Sequence, residues 1–190
     1  MPEEAPCGVF ASIWKNGREY GRKGNMAVKT IEIRGANAYE TFSKIRVACR
    51  GIVIKDSRIL ISHEANAGYD LIPGGGLEGD ETLEACCARE LREETGYRVK
   101  PDCHFLTINE YYGAYKYVSH YFICTIIGKS EQSLTNDERE RGLTPEWVEP
   151  EKMLDIYSRH RDFAATNEEK RGAYLREYTA LAEYMEQFQS

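Results

Sequence analysis

Gly74-Gly75-Gly76-Leu77-Glu78-Gly79-Asp80-Glu81-Thr82-Leu83-Glu84-Ala85-Cys86-Cys87-Ala88-Arg89-Glu90-Leu91-Arg92-Glu93-Glu94-Thr95-Gly96-Tyr97 is the stretch whose reading decides the fold. Three consecutive glycines lead into a run that reads as a helix from Glu81 to Thr95. Asp80 or Thr82 can cap its N-terminus, and Gly96 suits its C-terminal stop. Leu83, Cys87 and Leu91 give the helix an apolar face for docking. Glu90, Glu93 and Glu94 stand at i, i+3 and i+4, so at about 100° per residue they share one arc of the surface. Like charges at that spacing cost a helix about 0.2–0.5 kcal/mol per pair. Glu93 and Glu94 also occupy the last turn, where the macrodipole favours cations. A divalent cation reverses both penalties. Hard ions such as Mg²⁺ take oxygen ligands from one or two carboxylates and let substrate phosphates complete the shell. The plain alternative is a solvated acidic face with no chemical role. Glycines opposite a carboxylate cluster let backbone approach a ligand closely, because no Cβ intervenes. No Lys follows them, so this is not a phosphate loop of the Lys-Ser/Thr kind.

Outward from this segment, Ile45 to Ile54 and Arg58 to His63 read as strands rich in β-branched residues, with turn chemistry at Asp56-Ser57. Tyr69 to Ile72 is a short apolar stretch ending at Pro73. Cys103 to Tyr112 and Tyr115 to Ile127 read as two strands around a turn at Gly113. Residues 129–144 are polar and read as loop. Glu146 to Val148 suits a last short strand, and Pro150 to Tyr157 a helix start. The tail from Asn167 to Phe188 reads as a helix. Its apolar stripe is Tyr174, Tyr178, Leu181, Met185 and Phe188. That stripe is expected to pack on its own domain, with a homodimer seam as the alternative. Upstream, Val28, Ile31 and Ile33 suit a strand. Residues 1–25 are glycine-rich with weak periodicity and read as a loosely ordered extension, or as an over-long translation start.

The spacing Gly75, five residues, Glu81, seven residues, Arg89-Glu90-Leu91, one residue, Glu93-Glu94, one residue, Gly96-Tyr97 resembles the Nudix box of the Nudix hydrolases. Two departures stand out: Tyr97 where an aliphatic residue is usual, and Asp80 where Gly is frequent. The resemblance covers roughly residues 45–157. It implies an α/β fold, a Nudix-type α/β/α sandwich with a mixed curved sheet, to which the C-terminal amphipathic helix is an addition. The chain then divides into the extension 1–25, a hydrolase domain 26–157 and a C-terminal helical extension 158–190.

The resemblance also implies Mg²⁺- or Mn²⁺-dependent hydrolysis of a nucleoside diphosphate linked to another moiety. Nucleotide sugars, ADP-ribose, dinucleoside polyphosphates and modified dNTPs all belong to that class. By position, Glu90, Glu93 and Glu94 are the implied metal ligands, joined by the Gly74 carbonyl. Arg89 orients the cluster, and Glu81 supports the loop formed with Gly75 and closed by Gly96, or reaches a metal through water. The general base stays open among Glu110, Glu131, Asp137, Glu138 and Glu146. A non-catalytic Nudix-fold binding module is the competing reading, although it has no need of three crowded glutamates.

The remaining aromatic and histidine residues give weaker signals. Tyr115, Tyr117 and Tyr121 share one strand face and are candidates for stacking a base, against the alternative of sheet packing. His63 and His120 are candidate phosphate contacts on the same footing, and Trp147 reads as core.

The chain has 190 residues, 42% of them hydrophobic and 29% charged, a balance that excludes a fibrous or globally disordered protein. No apolar run reaches the roughly 18 residues of a membrane span, so no membrane association is expected. A net charge of −6 argues against a dedicated nucleic-acid binder and leaves a small-molecule nucleotide as the expected partner. Six cysteines occur without any C-x-x-C pair. They read as free thiols of a cytoplasmic protein, and the N-terminus shows no secretion signal.

Overall fold

The computed structural model describes residues 27–188 and, before them, only the backbone of Cys7–Gly8 (β1), Ser12–Lys15 (β2), Arg18–Gly21 (β3) and Asn25–Met26 (β4). Apart from these short strands, the reading of residues 1–25 as a loose extension lies outside the described residues. Lys29–Arg34 (β5), Lys44–Ile52 (β6), Ile54–Lys55 (β7), Arg58–Glu64 (β8), Tyr69–Leu71 (β9) and Gly74–Gly76 (β10) precede the helix Leu83–Thr95 (α1). Tyr97–Tyr112 (β11) and Tyr115–Lys129 (β12) form a long hairpin. Asn136–Arg141 (α2), Leu143–Val148 (β13), Pro150–Ser158 (α3), a 3₁₀ turn at Arg159–Phe163 and Glu168–Phe188 (α4) complete the chain.

One mixed sheet runs β10-β6-β12-β11-β5, and a second, antiparallel sheet runs β13-β8-β7 with β9 on β8. The two residues joining β7 to β8, Asp56 and Ser57, both take positive φ, 49° and 60°, as a tight primed turn demands. Apolar residues bury on both faces of the main sheet. On one face Cys86, Cys87 and Leu91 of α1 meet Cys49, Val53, Leu60, Phe122 and Cys124. On the other, α3 and α4 cover Ile33, Ile52, Phe105, Leu106, Ile108 and Tyr121. This is the α/β/α sandwich.

Several elements differ from the sequence reading. β11 begins at Tyr97, not at Cys103, because three register shifts let the strand run through Pro101 and Asp102. The polar stretch 129–144 contains α2. That helix has no buried residue but carries a capping box: Thr135 Oγ1 accepts from the Glu138 N–H, and Glu138 Oε2 accepts from the Thr135 N–H. The three glycines 74–76 are an edge strand paired with Arg50, Cys49 and Ala48. In α4 the buried stripe is rotated from the one read in the sequence. Tyr174, Glu177, Leu181, Tyr184 and Phe188 face inward, while Tyr178 and Met185 are only partly buried.

Leu91 is the fully buried centre of the contact between α1 and the sheet. Leu91→Ala should lower the unfolding free energy by about 3 kcal/mol, read as a shift of the urea midpoint at unchanged slope.

Candidate active site

α1 is fixed at both ends before its glutamates do anything. Thr82 is the N-cap, its side chain accepting from the Ala85 N–H, so the Asp80 alternative falls away. Gly96, at φ 71°, closes the helix with its N–H on the Arg92 carbonyl. The segment after β12 folds back on this end: the Ser133 N–H donates to the Glu93 carbonyl and the Ser130 N–H to the Gly96 carbonyl. Backbone donors thereby meet part of the negative helix terminus on which the glutamates crowd.

The three glutamates sit in different surroundings. Glu94 is buried, and its Oε2 accepts from Ser62 Oγ at 2.8 Å and from the Gly74 N–H at 3.1 Å. Both donors are neutral. Burial pushes the carboxyl up to about 7, against the pull of those two hydrogen bonds and of Arg50. Glu90 is buried beneath the glycine strand, and burial raises its pKa despite Arg89. A Cβ on Gly75 would overlap the Glu90 carboxylate and push it from its place beneath the strand. Gly74 has φ 143°, and a Cβ there would collide with the Cys49 carbonyl. Glu93 is the most open of the three and is held by Arg89 Nη1 at 3.2 Å and Arg92 Nη2 at 2.8 Å.

Arg89 organises the rest. Its Nε and Nη2 form a fork on the two oxygens of Glu81, at 3.1 and 2.6 Å, and Nη1 reaches Glu90 at 2.8 Å. Nη2 also donates to the Gly76 carbonyl at 2.9 Å. Glu81 Oε1 accepts in addition from the Glu78 N–H at 2.9 Å, tying the loop before α1 to the helix. The Arg89 hydrogen bonds hold the Glu81 carboxyl down at about 2.

The donor set of Glu90, Glu93, Glu94 and the Gly74 carbonyl consists of hard oxygens, the kind Mg²⁺ and Mn²⁺ take. Glu94, buried with only neutral hydrogen-bond donors, has room for the positive charge such an ion brings. Among the described residues no three His, Cys, Asp or Glu side chains are already gathered tightly enough to hold a metal. Arg89 stands between Glu90 and Glu93, so these carboxylates must turn from it to converge.

Ser62 and Arg50 belong to this site and were missed in the sequence. Alternation along β8 puts Ser62 on the side of Leu60, toward α1, which was the available signal. Arg50 Nη1 donates to the Ile72 carbonyl at 2.9 Å and approaches the Gly74 carbonyl at 3.4 Å. Of the five candidate bases, Glu110 is buried and ion-paired with Arg176 at 3.3 Å. The charge of Glu138 adds to the upward push on Glu90.

The aromatic face divides. Tyr115 and Tyr117 stack at 5.4 Å between centroids, with Lys44 Nζ 4.9 Å above the Tyr115 ring. Tyr121 does not join them as an accessible platform: it is fully buried under α4 and its OH donates to Glu177 Oε2 at 3.2 Å. His63 pairs with Asp70 at 2.7 Å, and His120 packs with His104 and Thr107, its pKa lowered to about 4 by burial. Trp147 donates to Tyr97 OH at 3.2 Å, so the unusual tyrosine closing the motif has a structural partner.

A carboxyl raised in the fold prefers its protonated form there. Its contribution to stability is therefore present below the ordinary value of 4.5 and is lost as pH rises through about 7. Metal-free protein should lose stability across that window. Glu94→Gln should remove most of the loss, raising the metal-free unfolding free energy at pH 8 by up to about 3 kcal/mol. Thermal melts from pH 4.5 to 8 in EDTA, wild type against variant, check this.

Residues 45–166 match the family described as the NUDIX domain. A MutT-like protein of Streptomyces ambofaciens is 36% identical over 118 residues, covering 59% of this chain and 71% of that protein. An ADP-ribose pyrophosphatase of Methanocaldococcus jannaschii is 38% identical over 71 residues, 36% of this chain and 42% of that relative, so the match spans less than half its length. Among solved structures, a Nudix hydrolase from Nitrosomonas europaea superposes with a TM-score of 0.53 at 20% identity, covering 72% of this chain and 90% of that one. At such identity the likeness shows the fold. The family match extends over more than half of the sequence and contains the whole glycine strand and α1, and on that ground the chain belongs to the Nudix hydrolase family.

Proposed function

We propose that the protein hydrolyses a diphosphate bond in a nucleoside diphosphate linked to another moiety, with Mg²⁺ or Mn²⁺ as cofactor. The observation that carries this is Glu94: a buried carboxylate at the end of α1, met only by neutral hydrogen-bond donors, next to two further glutamates and a glycine strand. A purely structural site would have replaced it with an apolar residue, or paired it with a cation. The bound ion supplies positive charge against the diphosphate oxygens and acidifies water beside it.

The chain's own residues do the rest. Gly74 and Gly75 bring backbone against the carboxylates without a Cβ in the way. Glu81 holds Arg89, and Arg89 holds the glycine strand through Gly76. Glu138, on a helix anchored to β8 by the Arg141–Glu64 pair at 2.7 Å, is the proposed base that takes the proton of the attacking water. Tyr115 and Tyr117 offer the stacking surface for the base of the substrate. The five described cysteines are free and buried, which supports a reducing compartment such as the cytoplasm. No described helix is long and apolar enough to cross a membrane.

The ion pairs of Arg89 within the cluster favour the second reading, a non-catalytic binding module, since they satisfy Glu90 and Glu93 without metal. Assay decides between them. ADP-ribose is the first substrate to test, because one relative carries the name of an ADP-ribose pyrophosphatase. Nucleotide sugars, dinucleoside polyphosphates and oxidised dNTPs follow. Turnover should require Mg²⁺ or Mn²⁺ and vanish in EDTA. Glu93→Gln should lower kcat by about a hundredfold with the fold intact. Glu138→Gln should lower kcat by about a hundredfold with little change in metal affinity. Binding of these nucleotides without turnover in any metal would establish the module instead.

A further inference from the structure

The C-terminal helix carries two charges that its packing role does not explain. Glu177 is fully buried on the sheet side of α4 and Arg176 beside it is half-buried, both beyond the last residue of the family match. Glu177 Oε1 accepts from Arg176 Nη2 at 2.7 Å and lies 3.8 Å from Arg50 Nη1; its Oε2 accepts from Tyr121 OH at 3.2 Å. Arg176 Nη1 reaches Glu110 on β11 at 3.3 Å. Two half-buried arginines and two buried glutamates thus form a charge-balanced set across β6, β11 and α4, joined by Tyr121 of β12. Arg50 is its only member that also touches the glycine strand, through the Ile72 and Gly74 carbonyls. The Gly74 N–H, on the other side of the same residue, is held by Glu94.

Burying two ion pairs is seldom a net gain in stability over apolar packing. Placement gives this set another use. The Gly74 carbonyl is proposed to face a divalent cation while a guanidinium lies beside it. Two positive charges at that separation repel strongly in a medium drier than water. The carboxylate of Glu177, 3.8 Å from Arg50 Nη1, offsets the Arg50 charge and attracts the guanidinium from the side of α4.

We infer that Glu177, with Tyr121, is a positioning residue for the metal site, setting through Arg50 the orientation of the Gly74 carbonyl and the field on the bound cation. The inference rests on the hydrolase reading above and adds to it a dependence on α4. Glu177 touches neither substrate nor metal and acts only through Arg50.

The test uses the full chain with Mn²⁺ alone as probe, binding being followed from the signal of free Mn²⁺ in electron paramagnetic resonance. Glu177→Gln keeps the shape and removes the charge, and should raise the Kd for Mn²⁺ by about tenfold. Tyr121→Phe keeps the ring and removes one hydrogen bond, and should raise it by about threefold. Glu183→Gln loosens α4 at its surface pair with Lys29, 2.6 Å apart, and should leave the Kd unchanged. With a substrate in hand, kcat of Glu177→Gln should fall at limiting Mn²⁺ and recover at saturation. If Glu177→Gln fails to fold, Tyr121→Phe decides.

Wild-type affinity in Glu177→Gln or, where that variant does not fold, in Tyr121→Phe would overturn the inference. An equal weakening in Glu183→Gln would also overturn it, since the effect would then be general loosening of the helix. In both cases the hydrolase reading stands. Absence of Mn²⁺ binding by the wild type would overturn both.

Discussion

The hydrogen bonds that Glu94 accepts from Ser62 and Gly74 hold the site together. They join the last turn of α1, the strand β8 of the second sheet and the glycine strand at the edge of the first. A carboxylate at the C-terminal end of a helix, out of water, is unfavourable on three counts: its own desolvation, the helix dipole and the charge of Glu90. Folding places it there because the apolar face of α1, with Leu91 at its centre, docks independently of it. The packing of α1 thereby imposes the environment of Glu94. A strained electrostatic arrangement maintained by an apolar contact elsewhere is the physical signature of a group kept for chemistry.

Much of this was legible in the sequence because helical periodicity acts on residue type without regard to context. The spacing of Glu90, Glu93 and Glu94 determines that they share an arc, and the cap at Thr82 and the stop at Gly96 delimit the helix. The sheet strands were legible wherever alternation was uninterrupted. Legibility ended at three kinds of feature. β11 passes through Pro101-Asp102 by way of bulges, which break the alternation by which a strand is recognised. α2 has no apolar stripe at all; only the box Thr135-x-x-Glu138 announces it. The inner face of α4 lies one ridge aside from the stripe that its apolar residues mark, because Glu177 belongs to it.

That last feature is informative. Glu177 lies three residues after Tyr174 and four before Leu181, squarely on the inner face once the helix is in place. A pattern of apolar residues places a helix to within about one ridge, and a buried charge within the pattern shifts the inferred face. Of the partners that make such a burial tolerable, Arg176 is its neighbour in sequence, but Arg50 and Tyr121 come from two strands distant in sequence. No local reading joins them. Tyr121 illustrates the same limit from the other side. Parity correctly grouped it with Tyr115 and Tyr117, but parity carries no information about where along the face the covering helix ends.

The two faces of the central sheet therefore divide the work unequally. α1 brings the acidic groups to one side of the glycine strand; on the other, Arg50 of β6 approaches it with Glu177 of α4 at 3.8 Å. Gly74 lies between them, its N–H given to Glu94 and its carbonyl approached by Arg50. The two peptide groups flanking the Gly74 Cα are thus each met at one polar end, one by a carboxylate and the other by a guanidinium. Glu94 is itself held by Ser62, and Arg50 lies 3.8 Å from Glu177. The glycine strand has no side chains with which to fix itself. Beyond its backbone pairing with β6, it is met by side chains of α1 and β6, which is how a backbone stripped of Cβ atoms for close approach can still be held in place.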